Sequence, residues 1–251
     1  MKIANKVVLI TGASEGIGAA CAHAFHEKGA RISLSCLPGP DFPRPDGALV
    51  TEGDITDHKV REDLVRRTVE RFGTVDILVN NAGVGLYKPP SSAPLELVRR
   101  LFEVNVFAPL GLAQLAIPHM KGKDRGMIIN MGSVGGYASL PWASMYCASK
   151  FALHAVSDSL RRELSRNGIH VMKVAPGIVD TKFRDHVLGG TAPGKVSDIK
   201  RLVSPEQVAE AVLKGVERNA RTVFVPWLSR PFTALELMFP GLMDAYVRSK
   251  W

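Results

Sequence analysis

Tyr146 and Lys150 stand four residues apart in a stretch that reads as helix, so both project from one face about one turn from each other. A phenol ionises near pKa ~10 and is by itself a poor acid or base at neutral pH. An ammonium beside it favours the phenolate, so the pair predicts a phenol with a lowered pKa, suited to exchanging a proton with an alcohol oxygen. Ser133, in Met131-Gly132-Ser133, closes an apolar run. If that run is a strand of an open α/β sheet, the hydroxyl lies at the carboxyl edge, where ligands bind, and can hydrogen-bond a substrate oxygen as charge develops there.

Positioning such groups needs a scaffold, and the pattern of the chain supplies one. Apolar runs suited to strands fall at 7–10, 32–35, 49–51, 77–80, 127–131, 171–175 and 223–225. Between most of them lie helix-like stretches near 17–28, 57–72, 95–120, 144–167 and 205–219. This alternation predicts an α/β fold, doubly wound around a parallel sheet and occupying 1–251 as a single dinucleotide-binding and catalytic domain. The segment 37–47 carries four prolines and is expected to be an irregular loop. After the first run comes Thr11-Gly12-Ala13-Ser14-Glu15-Gly16-Ile17-Gly18, a glycine-rich turn into a helix. Such a turn lets backbone N–H groups approach a pyrophosphate, with the helix dipole adding positive potential. Its spacing, G-x-x-x-G-x-G, departs from the usual G-x-G-x-x-G. Pro176-Gly177-Ile178-Val179-Asp180-Thr181 makes a second sharp turn whose backbone and Thr181 hydroxyl suit a carboxamide.

The composition excludes several other classes. Hydrophobic residues are 46% and charged residues 22%, against disorder, and the net charge of +8 is dispersed rather than gathered into a basic, aromatic stripe for nucleic acid. Cys21, Cys36 and Cys147 show no C-x-x-C spacing, which excludes a zinc site by pattern and fits a reducing, cytoplasmic compartment. The first residues run straight into a strand without room for a signal peptide, and no uninterrupted apolar segment suggests a membrane span.

Thr11-Gly12-x-x-x-Gly16-Ile17-Gly18, Asn80-Asn81-Ala82-Gly83 and Tyr146-x-x-x-Lys150, in this order, resemble the short-chain dehydrogenases/reductases over about residues 5–226. The resemblance implies a seven-stranded Rossmann-type sheet, NAD or NADP, and hydride transfer between nicotinamide and a carbonyl or secondary alcohol. It makes Ser133, Tyr146 and Lys150 the catalytic triad, with Tyr146 as general acid/base, Lys150 bridging to the nicotinamide ribose and Asn105 as a fourth catalytic position. It sets Gly12, Ser14, Glu15, Gly16, Ile17 and Gly18 around the pyrophosphate, and Asn81, Ala82 and Gly83 against the cofactor, while Asn80 braces the sheet. Asp54 and Ile55 match the adenine contact, although Asp54 alone would serve equally as a helix N-cap. Pro176, Gly177, Ile178 and Thr181 match the turn that orients nicotinamide. A homodimer or homotetramer built on helices near 95–120 and 144–167 is also implied.

Two further features bear on Asn105 and on the cofactor. Pro109 has no N–H for the Asn105 carbonyl, which predicts an acceptor freed for a water relay, or simply a proline kink. At the end of the second strand many NAD-using relatives carry an acid, and this chain has Cys36. The slots where NADP-using relatives often carry a basic residue hold Leu37 and Glu15, and a carboxylate there repels a 2′-phosphate unless it points away. The missing acid tips the reading towards NADP, with Arg44 as a partner for that phosphate or an ordinary loop arginine.

The stretch 183–203 looks like a substrate lid, and Val134, Tyr137, Leu140 and Phe183 are either walls of a pocket for an apolar carbonyl compound or core. The tail, 231–251, is apolar and flanked by Arg230, Arg248 and Lys250. A subunit contact or packing over the cleft is its plainer reading, and a peripheral membrane contact the other. The rival to an enzyme is a nucleotide-sensing binding protein on the same fold.

Overall fold

The computed structural model describes residues 1–120, 126–191, 202–242 and 244–245. Strands β1 (Val7–Thr11), β2 (Arg31–Cys36), β3 (Leu49–Glu52), β4 (Ile77–Asn80), β5 (Gly126–Met131), β6 (Ile169–Pro176) and β7 (Thr222–Val225) form one sheet. Its order is β3-β2-β1-β4-β5-β6-β7 and every pairing is parallel. The expected seven-stranded, doubly wound sheet is therefore present, each strand within about two residues of its sequence boundaries. β1, β4 and β5 are buried at every position, as strands covered on both faces must be, which explains their unbroken apolar runs.

Helices α1 (Gly16–Glu27), α2 (His58–Phe72), α3 (Leu95–Phe102), α4 (Ala108–Ala116), α5 (Ser144–Leu164), α6 (Pro205–Glu217) and α7 (Ser229–Met238) accompany the sheet. On one face Cys21, Phe25, Val208, Val212 and Val216 of α1 and α6 pack on Ile10, Val79 and Ile129. On the other, Leu64 of α2 and Leu112 of α4 pack on Leu9, Leu78 and Ile128. Leu112 is 1% exposed, so its truncation to Ala would cost about 2–5 kcal/mol. Caps fix the ends: Asp57 accepts from the Lys59 N–H at the start of α2, and Ser204 and Gln207 form a capping box before α6, with Pro205 at its first position.

The sequence order reverses at β1 and β4, and the crevice beyond their carboxyl ends is where such sheets bind nucleotides. Residues 37–47 contain no helix, as their prolines require. Two elements differ from expectation. The run from Leu95 to His119 is long and apolar enough to cross a bilayer by length and composition, but half of its apolar window is buried, with Ala108, Leu112, Ala113 and Ala116 in the core. It is interrupted at Glu103–Phe107 by a π-helical turn, in which the Ala108 N–H reaches five residues back to the Glu103 carbonyl. That widened turn stands where Pro109 suggested a plain kink. The second element is α7, a helix within the apolar tail.

Candidate active site

At the phosphate end the geometry is set by backbone. Gly12 has φ +62°, and a Cβ there would lie 2.8 Å from the Ala82 Cα. A Cβ on Gly18 would lie 2.2 Å from the Gly12 carbonyl oxygen, so neither position admits a side chain without movement. Thr11 Oγ1 accepts from the N–H groups of Asn81 and Ala82, both at 3.0 Å. Asn81 Nδ2 donates to the carbonyls of Thr11 and Gly12 at 3.0 and 2.9 Å, stitching the two loops together across the switch point. Asn80 faces inward and donates to Asn130 Oδ1 at 2.8 Å, which is the bracing role expected of it.

The start of α1 has no side-chain cap, because the Glu15 carboxylate turns instead to His186 Nε2 at 2.8 Å. First-turn N–H groups flanked by Ser14, Gly16 and Ile17 are thus left to an outside acceptor. The uncapped helix start and the Cβ-free cradle fit a dinucleotide pyrophosphate. Cys36 is buried at the end of β2, and burial raises its pKa, with Glu52 pushing the same way and Arg44 opposing. Arg44 is therefore near Cys36, although its guanidinium pairs with Asp41. With Gly39, Val50, Glu52 and Arg67 this pair lines an open groove of about 530 Å³.

Asp54 is not the N-cap of α2, a role Asp57 takes. One Asp54 oxygen accepts from the Thr56 N–H at 3.0 Å and hydroxyl at 2.8 Å, and the other pairs with Arg100. Burial works to raise its pKa, but these hydrogen bonds hold it below the usual range. Ile55 is buried beside it.

At the chemical end Ser133 lies two residues beyond β5 and caps the short 3₁₀ turn Val134–Gly136, accepting from the Gly135 N–H at 3.0 Å. Its Oγ and the Tyr146 ring both border Gly135, where a Cβ would meet them at 3.4 and 3.6 Å. Lys150 is 4% exposed, and its Nζ lies 5.8 Å from the centre of the Tyr146 ring while donating to the Met131 carbonyl at 3.0 Å. Asn105, 1% exposed, uses its side-chain carbonyl to accept from the Val84 N–H at 2.9 Å. Its amide donates to the Val84 carbonyl and to Ser149 Oγ, both at 3.0 Å. A Cβ on Gly83 would meet Asn105 Oδ1 at 3.3 Å and Lys150 Nζ at 3.5 Å, so both groups stand against the Asn81–Gly83 loop. The four residues read from sequence come together at one edge of the sheet.

Their electrostatics differ from the sequence expectation. The Tyr146 phenol is pushed above its ordinary range rather than below it: burial dominates, and the Ser133 hydroxyl nearby only opposes it. The same burial lowers Lys150 to about 8, so the amine loses part of the charge that was to act on the phenol. Helical spacing had indicated proximity correctly; low polarity around the pair reverses the sign.

Beyond β6, Gly177 N–H donates to the Val225 carbonyl at 2.7 Å, which fixes the Pro176–Ile178 turn to β7. Thr181 spends its hydroxyl on the Phe183 N–H at 3.3 Å, and its methyl lies 3.2 Å from a Cβ built on Gly16, closing this turn on the phosphate end. Phe183 packs tilted against the Tyr146 ring, 5.9 Å between centres, and is a wall of the site. Tyr137 is not. Its ring packs on His154 at 4.5 Å and Phe224 at 5.1 Å, behind the catalytic turn. Val134 sits within that turn, and Leu140 is exposed at the rim. Of the lid, 192–201 lies outside the described residues, as do 243 and 246–251 of the tail. The described part pairs with the loop after β4, Tyr87 N–H to Gly189 O at 3.0 Å and Leu188 N–H to Gly85 O at 2.9 Å.

Two residues escaped sequence reasoning. Tyr87 is a half-buried phenol close enough to raise the Tyr146 pKa further. His154, one turn beyond Lys150, is 5% exposed, and its Nδ1 bonds the Gly136 carbonyl at 3.0 Å, so Nδ1 carries the proton. Its ring would clash with a Cβ on Gly132 at 2.0 Å or on Gly136 at 2.4 Å. The imidazole is the floor under the Ser133 turn, and the glycines on either side of Ser133 were the signal.

A family model described as short chain dehydrogenase matches residues 6–189. The chain belongs to the short-chain dehydrogenases. A dehydrogenase/reductase SDR family member 7B of Danio rerio is 34% identical over 99% of this chain and 86% of its own length. An uncharacterized oxidoreductase of Staphylococcus aureus is 31% identical over 84% and 90% respectively. Among solved structures, a short-chain dehydrogenase of Burkholderia cenocepacia in complex with NADP superposes with TM-score 0.81 at 26% identity, over 98% of this chain and 99% of that one. One from Burkholderia phymatum in complex with NAD reaches TM-score 0.84 at 20% identity, over 97% and 96%, a likeness of fold. This short-chain dehydrogenase is accordingly an NAD(P)-dependent oxidoreductase acting on a small molecule.

Proposed function

We propose that this enzyme interconverts a carbonyl compound and its secondary alcohol, with Tyr146 as the proton-transfer group. The observation that carries the reading is the convergence of Ser133 and Tyr146 beside Gly135, where a Cβ would lie 3.4 Å from Ser133 Oγ and 3.6 Å from Tyr146 Cε1, with Lys150 and Asn105 behind them against Gly83. Ser133 holds the substrate oxygen in place, and Tyr146 delivers a proton to it as charge builds. In the resting protein the phenol keeps its proton, the state that donates to a carbonyl. When bound, the nicotinamide ring supplies the hydride. Lys150 and Asn105 hold the Tyr146 side of the cleft against Gly83 and Val84.

Phe183 against Tyr146, and Gly85 closed in by Phe183 and Val187, support an apolar carbonyl substrate. The nearness of Arg44 to Cys36, in a groove with Arg67, supports NADP as the preferred cofactor. Exposed Phe107 and Phe151, on the helices expected to carry subunit contacts, support a homo-oligomer. Three buried free thiols support a reducing compartment, the cytoplasm. The test is a cofactor-oxidation screen over ketones, sugars, steroids and acyl thioesters with both cofactors, in parallel with Tyr146→Phe. Turnover of a ketone that the variant lacks supports the assignment; equal turnover by the variant would remove it.

A further inference from the structure

We infer that His154 is a positioning residue for the reaction: by gripping both ends of the Gly132–Gly136 turn, it fixes where Ser133 stands relative to Tyr146. The inference rests on the reading of Ser133 as the group that holds the substrate oxygen. Tyr146, Lys150 and His154 follow at intervals of four along α5, so they form one stripe of a single helix. The last two reach the end of β5 and the turn beyond it. Lys150 Nζ donates to the carbonyl of Met131, the residue just before the turn, at 3.0 Å. His154 Nδ1 donates to the carbonyl of Gly136, the last residue of the turn, at 3.0 Å. The helix that carries the phenol thus also holds both ends of the segment that carries the serine.

The imidazole meets the backbone directly. Its Nε2 lies 2.0 Å from where a Cβ on Gly132 would stand, and its Cε1 2.4 Å from one on Gly136. With the proton on Nδ1, Nε2 is an acceptor, and this buried atom has no hydrogen-bond partner among the described residues. What faces it is the Gly132 Cα, whose C–H is a weak donor. Leaving a buried acceptor so poorly matched costs about 1–3 kcal/mol. An aliphatic side chain of similar bulk would avoid that cost but would lose the bond to the Gly136 carbonyl. A histidine here serves the geometry of the turn better than it serves stability.

The ring is backed from beneath by a stack tied to the same helix. Tyr137 packs on it at 4.5 Å, and Lys173 Nζ stands 5.4 Å from the centre of the Tyr137 ring. Lys173 in turn donates at 2.7 Å to Asp158, four residues beyond His154 on α5. The position of the serine hydroxyl follows the turn, because Ser133 Oγ accepts from the Gly135 N–H inside it. A displacement of such a turn by ~1 Å would misplace the hydroxyl against Tyr146, an error that costs about a hundredfold in rate.

The test is a double-mutant cycle over His154→Leu, Ser133→Ala and the double variant, read as single-turnover reduction of benzil, an apolar diketone, by saturating NADPH. His154→Leu is expected to slow hydride transfer about tenfold to a hundredfold and to leave the cofactor dissociation constant unchanged. In the Ser133→Ala background the same substitution should change the rate by less than about twofold, because no hydroxyl is left to misplace. Slowing by the same factor in both backgrounds would overturn this inference alone, since the imidazole would not act through Ser133. A His154→Leu protein with the wild-type rate would overturn it too. Should that variant fail to fold, His154→Ala, too small to clash, goes through the same cycle and is judged by the same two outcomes. A Ser133→Ala protein as fast as the wild type would instead remove the reading of Ser133, and this inference with it. So would a wild type that reduces neither benzil nor any carbonyl of the screen.

Discussion

The two ends of the cleft are built differently. The phosphate end is an arrangement of backbone, in which Gly12 and Gly18 owe their identity to what a Cβ would strike and Gly16 to its positive φ of +56°. The proton end is an arrangement of side chains, Ser133, Tyr146 and Lys150, whose behaviour depends on how much water is near them. The first is a problem of shape and the second a problem of dielectric. Shape survives translation from sequence, because a glycine motif carries its own steric argument. The ionisation of a buried pair does not, because residue types are visible in a sequence and their solvation is not.

Breaking the proton end should give the largest effect and should leave the phosphate end alone. Tyr146→Phe removes one oxygen from a site that keeps its fold, so turnover should fall by about a thousandfold. Cofactor affinity, followed by fluorescence titration of the dinucleotide, should stay at its wild-type value. If affinity falls along with rate, the two ends are one unit and the comparison fails.

The converse variant is Gly18→Ala. Its methyl would lie 2.2 Å from the Gly12 carbonyl oxygen and 2.6 Å from Asn81 Nδ2, both parts of the stitched turn. Strain of this kind amounts to about 1–3 kcal/mol, so the cofactor dissociation constant should rise about tenfold to a hundredfold. The rate at saturating cofactor should be nearly preserved. A lost rate at saturation would mean that the glycine turn also positions the chemistry.

The same contrast explains what could be read in advance. The strands announced themselves because both faces are covered, leaving runs such as Val7–Thr11 without a polar residue before the last. Asn105, Ser133, Tyr146 and Lys150 were found by type and spacing, and the fold brings them together. Helix α7 was hidden because Pro231 sits within its first turn and its apolar residues face out, contrary to the pattern that marks a packed helix. His154 was hidden because a histidine on an apolar helix face says nothing until the Gly132–Gly136 turn folds beneath it. The phenol shift was misread in sign because burial, the larger influence, has no signature in four residues of spacing.

His154 sharpens the comparison from beneath the proton end. Burial first, and then Lys173, lowers its pKa from 6.5 to about 4. The folded state thus prefers neutral imidazole, and the unfolded chain takes up the proton first as the medium is acidified. The stability this group contributes is present above pH 6.5 and is lost on the way down to pH 4. By pH ~5 the loss should be about 2 kcal/mol. His154→Asn keeps an N–H for the Gly136 carbonyl but cannot titrate, so its urea-unfolding stability should change less between neutral pH and the acid side. Equal acid slopes in the two proteins would exclude His154 as the cause.

The smallest effect is expected at the far edge of the phosphate end, where side chains replace backbone and legibility fails again. Cys36 offers the ribose no carboxylate, and Arg44 lies near enough to act on its thiol while paired with Asp41. Arg44 is partly exposed, so its pull on a 2′-phosphate is screened, and one such contact is worth about tenfold in affinity. Arg44→Ala should therefore raise the Michaelis constant for NADPH about tenfold and leave that for NADH unchanged, with the same maximal rate for both. Because Asp41 competes for the guanidinium, Asp41→Asn should move the NADPH constant the other way. If Arg44→Ala shifts both cofactors equally, the arginine only shapes the 37–47 loop. Discrimination would then rest on the absence of an acid at Cys36, and Cys36→Asp should turn the preference towards NADH.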